Sequence, residues 1–264
     1  MRSPGRRFKR WLMRYSTPEI ARRAEELPLR RDMVTLLQYV QENKVVGTRS
    51  TGNMPLKAVR EVTARFVNPP ELDQHIGDRV YRLRSEAEVR PLYFLHILAE
   101  VGGFLQLAPA QRWQVTAAGT KFLSLDPLLQ VSCLLDVWWR GVNWLVVCPF
   151  GGLGDSLPDH FERTTLRYLR SLPVGKQIEF EDFADKLIEK TGLTWPVGGS
   201  YARMFLHAAV QWIVVDVLAK FGVLEPEYIE RPIVEGAPPV PRLVAFEVTP
   251  FGRALLEKIA TLDV

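Results

Sequence analysis

Four polar side chains recur along one face of an otherwise apolar segment near residue 200. Their spacing of i, i+3, i+7 and i+11 places them on one side of an α-helix: Ser200, Arg203, His207 and Gln211. Arginine and glutamine pair with the edges of guanine and adenine, so this face could read bases. The same stripe could instead be a narrow hydrated line on a largely buried helix. Both interpretations stay open.

The cationic side chains are concentrated at the N-terminus. Residues 1–31 hold ten Lys or Arg and three Glu, whereas residues 32–264 hold 24 basic and 27 acidic side chains. The first fifteen residues, MRSPGRRFKRWLMRY, include six basic side chains and no acid. Such a segment can contact nucleic-acid phosphates or an anionic membrane, and we assign the phosphate role to Arg6, Arg7, Lys9, Arg10 and Arg14. It could also pack Phe8, Trp11 and Leu12 on the body and leave its arginines solvated.

No residue pattern for catalysis, metal binding or cofactor binding stands out. The histidines are scattered and lack partners at metal-ligand spacing: His75, His96, His160 and His207. The glycines of CPFGGLGDSLPD are not followed by the lysine and hydroxyl residue of a phosphate-binding loop. The acids at 179–185 belong to a predicted helix start, where carboxylates suit the helix dipole. We therefore expect a non-enzymatic protein with no metal and no cofactor.

One short pattern occurs twice, 133 residues apart. RWQVTAAGTKFL at 112–123 returns as AFEVTPFGRALL at 245–256, with Val-Thr and a following glycine in common. The valines end alternating runs typical of half-buried strands, and Thr116 and Thr249 suit helix N-caps. Gly119 and Gly252 leave room for another element to pack closely. The pattern predicts a strand that runs into a capped helix in both copies.

The similarity extends upstream of each strand. FLHILAEVGGFLQL at 94–107 aligns with VVDVLAKFGVLEP at 214–226 when Gly102 is matched to Gly222. In this alignment the interval between glycine and Val-Thr is 13 residues longer in the second copy. Each copy then has the predicted order helix, glycine, strand, hairpin loop, strand and capped helix.

This order resembles the winged-helix family of helix-turn-helix proteins, and the wings are similar to those of MarR-like and PadR-like regulators. The earlier elements of the resemblance are MVTLLQYVQENK, VVGTR and MPLKAVREVTARF in the first copy, and FERTTLRYLRSLP, KQIEF and EDFADKLIEKTG in the second. The first copy departs from the pattern by an insertion at 67–90 between helices two and three. The resemblance implies that helix three enters the major groove and that the wing touches the backbone.

On this resemblance, the candidate DNA contacts fall into two groups. Helix three of the first copy offers few polar residues, so base reading is assigned to the second copy: Arg203, His207 and Gln211. Phosphate contact is assigned to helix two of the first copy and the residue that precedes it, because cations outnumber acids there: Arg49, Lys57 and Arg60.

A third feature lies between the two copies. LDPLLQVSCLLDVWWRGVNW is apolar on nearly every face, which is typical of a buried helix. We expect a connecting helix at the interface of the two domains, filled by Trp138, Trp139 and Trp144. The apolar runs here are too short for a membrane span. The domain prediction is a basic arm at 1–31, domains at 32–125 and 159–264, and a connector at 126–158.

The sequence therefore predicts a mainly α protein with small β wings, an α+β fold of two winged-helix domains joined by a buried helical connector. The expected function is DNA binding, with a possible role in transcription regulation. A competing interpretation is a protein–protein assembly module built on degenerate winged helices. Cys133 and Cys148 lack metal spacing, and reduced thiols favour a cytoplasmic protein. The sequence does not indicate the oligomeric state.

Overall fold

The chain folds into two units, each with helices packed on a small antiparallel sheet. The structure is a computed structural model that describes residues 11, 13–15, 17–76, 79–148, 150, 153, 157–195, 199, 201–232 and 238–262. The first unit spans residues 21–142, and the second contains residues 1–20 and 143–264. The protein is mainly helical with small antiparallel sheets, which confirms the predicted α+β class.

The first unit begins inside α1, the helix that crosses the unit boundary. The helices are α1 (Pro18–Glu26), α2 (Pro28–Glu42), α3 (Leu56–Thr63), α4 (Arg90–Val101), α5 (Ala117–Leu123) and α6 (Pro127–Gly141). The strands are β1 (Gln74–Ile76), β2 (Arg79–Tyr81), β3 (Leu105–Ala108) and β4 (Arg112–Val115). Strands β3 and β4 form an antiparallel hairpin, and Val46 adds a single antiparallel bridge to Arg112.

Apart from the insertion with β1 and β2, the second unit has an order of elements similar to the first. Its helices are α7 (Trp144–Val147), α8 (Phe161–Ser171), α9 (Phe180–Thr191), α10 (Ala202–Val210), α11 (Asp216–Lys220) and α12 (Pro250–Leu262), with a π-helical turn, Gln211–Val215, between α10 and α11. Its strands are β5 (Gln177–Glu179), β6 (Leu224–Pro232) and β7 (Pro239–Val248), and β7 lies between the other two. In the first unit, β4 has the same central place between Val46 and β3.

The two predicted strand-to-helix motifs form with nearly the same hydrogen bonds. Strand β4 ends at Val115 and β7 at Val248, and α5 and α12 begin just after the next residue, a threonine. The Thr116 hydroxyl accepts the Gly119 N–H at 3.0 Å, and the Thr249 hydroxyl accepts the Gly252 N–H at 2.7 Å. Both threonines are therefore N-caps, as the sequence predicted.

The same hydroxyls also tie each helix to the end of the preceding helix. Thr116 donates to the carbonyl of Gly103 at 2.5 Å, and Thr249 donates to the carbonyl of Gly222 at 2.7 Å. Gly103 and Gly222 both have φ of 67°, the left-handed conformation that glycine adopts at helix ends. Each threonine thus joins two chain segments across the hairpin.

These contacts correct the predicted alignment by one residue. Gly103, not Gly102, is the counterpart of Gly222, because the next N–H in each copy bonds five residues back, Phe104 to Ala99 and Val223 to Leu218. Leu105 pairs with Val115 and Leu224 pairs with Val248, which gives the same register. The interval to Val-Thr therefore grows by 14 residues rather than 13, all within the longer second hairpin.

The predicted connector is divided between the two units. Helix α6 packs on α2 and α4, and the Trp138 ring lies 5.3 Å from that of Phe94 in the same unit. Trp144 begins α7 in the second unit, with its ring 6.0 Å from that of Phe161. Helix α6 is therefore a core helix of the first unit, and α7 belongs to the second.

The predicted insertion has ordered structure of its own. Its hairpin, β1 and β2, is followed by a 3-10 turn, Glu86–Glu88, that leads into α4. Asp32 of α2 accepts the Val67 N–H at 2.7 Å, and Asp73 accepts the Leu83 N–H at 3.2 Å. The Asp32 bond ties the start of the insertion to α2, and the Asp73 bond joins two parts of the insertion to each other.

We predict that any side chain added at Gly119 or Gly252 destabilises the fold. A Cβ at Gly252 would meet the Val223 backbone, and a Cβ at Gly119 would meet the Phe104 carbonyl. Gly252→Ala and Gly119→Ala should each lower the free energy of unfolding by about 1–3 kcal/mol, since the obstacle is backbone. Urea denaturation measures the loss, with the exposed neighbour substitution Ala118→Ser as the control. Unchanged stability in both glycine variants would contradict the close packing.

Candidate nucleic-acid interface

The hairpin of the first unit carries an exposed polar face with one cation and no acid. Arg112 and Gln114 are exposed on β4, whereas Trp113 between them is buried. Gln114 lies opposite Gln106 of β3, and Arg112 lies opposite Val46. Residues 101–125 contain no Asp or Glu. This face therefore offers positive charge and amide groups without a competing carboxylate from its own strands.

The segment that joins α2 to α3 extends the same face. Val45 is buried while Lys44 and Val46 are exposed, so Lys44 lies on the side of Arg112. The Gly47 N–H donates to the Gln111 carbonyl at 2.7 Å. Residues 43–60 also contain no acid. We call the set Lys44, Arg49 and Arg112 the wing cations.

Arg49, one of the predicted phosphate contacts, lies in a tight turn at the end of this face. The Gly52 N–H donates to the Thr48 carbonyl at 2.9 Å, and the hydroxyls of Thr48 and Thr51 are 2.7 Å apart. Arg49 itself is exposed. The turn is held to β4 because Trp113 Nε1 donates to the Gly52 carbonyl at 2.7 Å.

The predicted contacts on α3 are exposed but lie beside carboxylates. Lys57 Nζ is 3.8 Å from Glu61 one turn later, and Arg60 bonds Asp73 of the insertion at 2.9 Å. Arg60 also lowers the pKa of Asp73, and the Leu83 N–H adds to that effect. Their positive charge is thus locally balanced, which makes α3 a weaker phosphate surface than the wing cations.

The predicted base-reading residues are engaged within the second unit. Arg203 holds Asp185 of α9 through two bonds of 3.1 and 2.8 Å, and His207 Nε2 lies 2.7 Å from the same carboxylate. Bonds from Arg203 and then His207 lower the pKa of Asp185 to about 2. The base-reading role of these residues stays a prediction, and it would require Arg203 to exchange Asp185 for a base edge.

Gln211 lies further along, where the helix widens into the π-helical turn. It hydrogen-bonds the carboxylate of Asp216 at the start of α11. Burial raises the pKa of Asp216, and bonds from Tyr228 and Gln211 oppose that shift. Gln211 is thus half-buried and already used inside the unit.

The N-terminal cations are only partly described. Arg6, Arg7, Lys9 and Arg10 lie outside the described residues, as do Phe8, Leu12 and Ser200 of the predicted features. Trp11 is buried, and its Nε1 donates to the carbonyl of Ala254 in α12 at 2.7 Å. Arg14 is exposed, with its guanidinium 5.4 Å from the centre of the Tyr15 ring. The basic segment is therefore attached to the second unit at Trp11.

The hairpin of the second unit has the opposite charge. Strands β6 and β7 carry four glutamates against Arg231 and Arg242: Glu225, Glu227, Glu230 and Glu247. Arg242 is also bound to Glu181 of α9 at 2.8 Å. Residues 143–264 hold 12 basic and 16 acidic side chains, whereas residues 21–142 hold 16 and 13. The first hairpin is thus the better phosphate surface.

A buried carboxylate–imidazole pair lies in the core beneath the Arg49 turn and contacts the residues that hold it. Glu86 is fully buried, pairs with His96 Nδ1 of α4, and accepts the Met54 N–H at 2.6 Å. The His96 ring meets the Trp113 ring at 4.4 Å, edge to face. Glu86, His96 and Trp113 therefore hold the C-terminal side of the turn that carries Arg49, at Gly52 and Met54.

Lys44 and Arg112 were not among the residues predicted from the sequence. The only available signal was the absence of acids from 43–60 and 101–125, because the bridge between Val46 and Arg112 joins residues far apart in the chain.

The described residues hold no group of three His, Cys, Asp or Glu side chains placed to bind a metal ion. One helical stretch among them, Ala202–Lys220, is long and apolar enough to cross a membrane, a test that core helices of soluble proteins also pass. It gives no clear membrane span.

Comparisons with known proteins found no matching family model, no similar curated protein and no similar solved structure. The winged-helix resemblance therefore stays a prediction from the residues and the order of elements.

Glu86→Ala is expected to destabilise the first unit strongly. The change leaves the Met54 N–H and His96 Nδ1 without their buried acceptor, and breaking such a pair costs about 3–5 kcal/mol. Glu86→Gln should cost less, because its amide oxygen can still accept from Met54 while His96 changes tautomer. Urea denaturation of both variants measures the difference. Equal, small losses would contradict the proposed support role.

The Asp185 cluster predicts a specific acid sensitivity. Its pKa in the folded chain is about 2, below the ordinary 3.8, so the cluster stabilises the fold above about pH 4 and loses this effect as pH falls toward 2. Asp185 is 47% exposed, so the contribution should stay below about 1 kcal/mol. The difference in unfolding free energy between wild type and Asp185→Asn should shrink over that range. Asp182→Asn is the matched control, and an equal pH response from it would contradict the assignment.

Proposed function

We propose that the chain is a non-enzymatic tandem winged-helix protein that binds nucleic acid through the phosphate backbone. The observation that carries this proposal is the exposed, acid-free face that the first hairpin forms with the segment between α2 and α3, with the wing cations Lys44, Arg49 and Arg112. Phosphate contacts supply most of the affinity of non-specific binding. A face with cations and amides but no carboxylates suits that kind of contact.

The order of elements supports the winged-helix part of the proposal. Each unit has a helix, a short strand or bridge, two further helices, a hairpin and a capped helix. In each, the strand before the capped helix is central. In the winged-helix family the hairpin touches the nucleic-acid backbone, which is the position of Arg112 here.

Contact with the nucleic-acid backbone rather than with bases is favoured by the helices in the position of winged-helix helix three, which are α4 in the first unit and α10 in the second. In α4 half of the twelve side chains are buried, and α6 packs against it. In α10 the cation that would read bases, Arg203, is held by Asp185. Neither helix offers an uncommitted set of polar side chains to a major groove, so we propose low sequence preference.

The N-terminal segment supplies a second source of positive charge. Its attachment at Trp11 on α12 leaves Arg14 exposed, and residues 1–10 contain five basic side chains and no acid. Arg6, Arg7, Lys9 and Arg10 are proposed to add phosphate contacts there. We propose a cytoplasmic location on the two cysteines, which form no disulfide, and regulation of transcription on the winged-helix resemblance.

A protein-assembly role is the second candidate, and it is favoured by the second unit. That unit has an acidic hairpin and an exposed apolar group on α10: Tyr201, Met204 and Phe205. A surface of this kind suits a protein partner better than a phosphate backbone.

The test is a binding titration on random duplex DNA across salt concentrations. Each phosphate contact contributes about 0.9 to the slope of log K against log salt. The triple variant Lys44→Ala, Arg49→Ala and Arg112→Ala should therefore make this negative slope shallower by about 2.7 if all three contact phosphates. The control removes three exposed cations of the second unit, Arg163, Arg167 and Lys186, and should change the slope little.

Two further variants separate the contributions. Replacing Arg6, Arg7, Lys9 and Arg10 by Gln tests the N-terminal segment while it keeps the buried Trp11. Arg203→Ala tests base reading, which predicts a larger loss on selected sequences than on random DNA. If the unchanged protein does not bind at low salt, the nucleic-acid proposal fails and the assembly role takes its place.

A further inference from the structure

The most apolar helical stretch of the second unit is left partly uncovered. The continuous helix Ala202–Lys220 is long and apolar enough to cross a membrane. Only 39% of its most apolar 18-residue stretch is buried, however. Its buried side includes Val210, Ile213 and Val214. The uncovered side lies at its N-terminal end.

Three large apolar side chains stand out at that end. Tyr201 is 65% exposed, Met204 55% and Phe205 38%, and their spacing of i, i+3 and i+4 places them on one face. Trp195 stacks on Phe205 with ring centres 4.8 Å apart, and Phe150 meets Trp195 edge to face. We call these five side chains the α10 patch.

Elsewhere among the described residues, exposed apolar side chains do not form a cluster with contacting aromatic rings. Met13, Val80 and Val146, for example, are exposed at separate places in the chain. Isolated exposed apolar residues are ordinary, but a contiguous group of aromatic and methionine side chains marks an interaction surface.

The charges beside the patch are balanced. Arg203 on α10 is 62% exposed and bound to Asp185, and Glu181 is bound to Arg242 at 2.8 Å. The edge of the patch on the α9 side thus has two cations and two carboxylates, each at least partly exposed.

We propose that the α10 patch is the interface between two copies of this chain. In an antiparallel two-fold pairing of α10 helices, the edge that carries Arg203 and Asp185 faces the same edge of the other copy. A balanced set of opposite charges is complementary to itself across such an axis, so guanidinium and carboxylate groups of the two copies can exchange partners.

The same balance disfavours other occupants. Nucleic acid and an anionic lipid surface require net positive charge, and the edge of the patch has none. The proposal is independent of nucleic-acid binding, since the wing cations belong to the first unit. Dimerisation would stand even if that binding were absent.

The test is the molar mass of the full chain in solution, by sedimentation or light scattering over a range of concentrations. We expect a mass that rises toward twice the 30.1 kDa of one chain. Met204→Glu should raise the dissociation constant by about tenfold or more, since it places a charge at the centre of the contact. Met13→Glu is the matched control, because Met13 is 80% exposed and lies outside the patch.

Tyr201→Ser provides a second variant at the most exposed patch position, and circular dichroism checks that each variant is folded. A monomer at every concentration overturns the proposal, as does a dimer unaffected by both patch variants. Binding to vesicles of neutral lipid that Met204→Glu abolishes, with the chain monomeric, would assign the patch to a membrane surface instead.

Discussion

The fold of each unit depends on one threonine hydroxyl. Thr116 and Thr249 accept the N–H of the glycine three residues later and donate to the carbonyl of a glycine that ends an earlier helix. The hydroxyl thereby satisfies a helix N-terminus and a helix C-terminus at once, two ends that would otherwise have unpaired backbone groups. Because the hairpin lies between these two points, its base is closed whatever its length. This explains how the second hairpin can be 14 residues longer without a change at its root.

Much of this arrangement could be predicted from the sequence because its determinants are local. Val-Thr followed by glycine specifies a strand end, an N-cap and a close approach within five residues, and both copies form these features. The predicted alignment was one residue wrong upstream, because Leu98-Ala99 matched Leu218-Ala219 by identity while the backbone aligns Ala99 with Leu218. Identity of apolar residues on a buried helix is weak evidence of register. The glycine with left-handed backbone is the better marker of the alignment. The sequence has two adjacent glycines, Gly102 and Gly103, and does not show which of them adopts that conformation.

The candidate site was harder to predict because charge balance is a long-range property. Lys57 and Arg60 form a basic helix face in the sequence, yet Arg60 meets Asp73 of the insertion. Arg203 has a suitable position on its helix, but Asp185 of the preceding helix takes both of its guanidinium bonds. Conversely, Lys44 and Arg112 share a face only through the Val46 bridge. Helical spacing shows which side chains share a face, whereas partners from other elements decide which charges are available to a ligand.

The two units therefore use one order of elements for different surfaces. The short first hairpin carries Arg112 and no acid, and the neighbouring turn with Arg49 is held by Glu86, His96 and Trp113 in the interior. The long second hairpin is acidic, and the N-terminal end of α10 in the same unit carries exposed apolar side chains. In both units the third helix is committed to packing or to ion pairs. The surfaces that stay available are the hairpin with the neighbouring Arg49 turn in the first unit, and the exposed N-terminal end of α10 in the second.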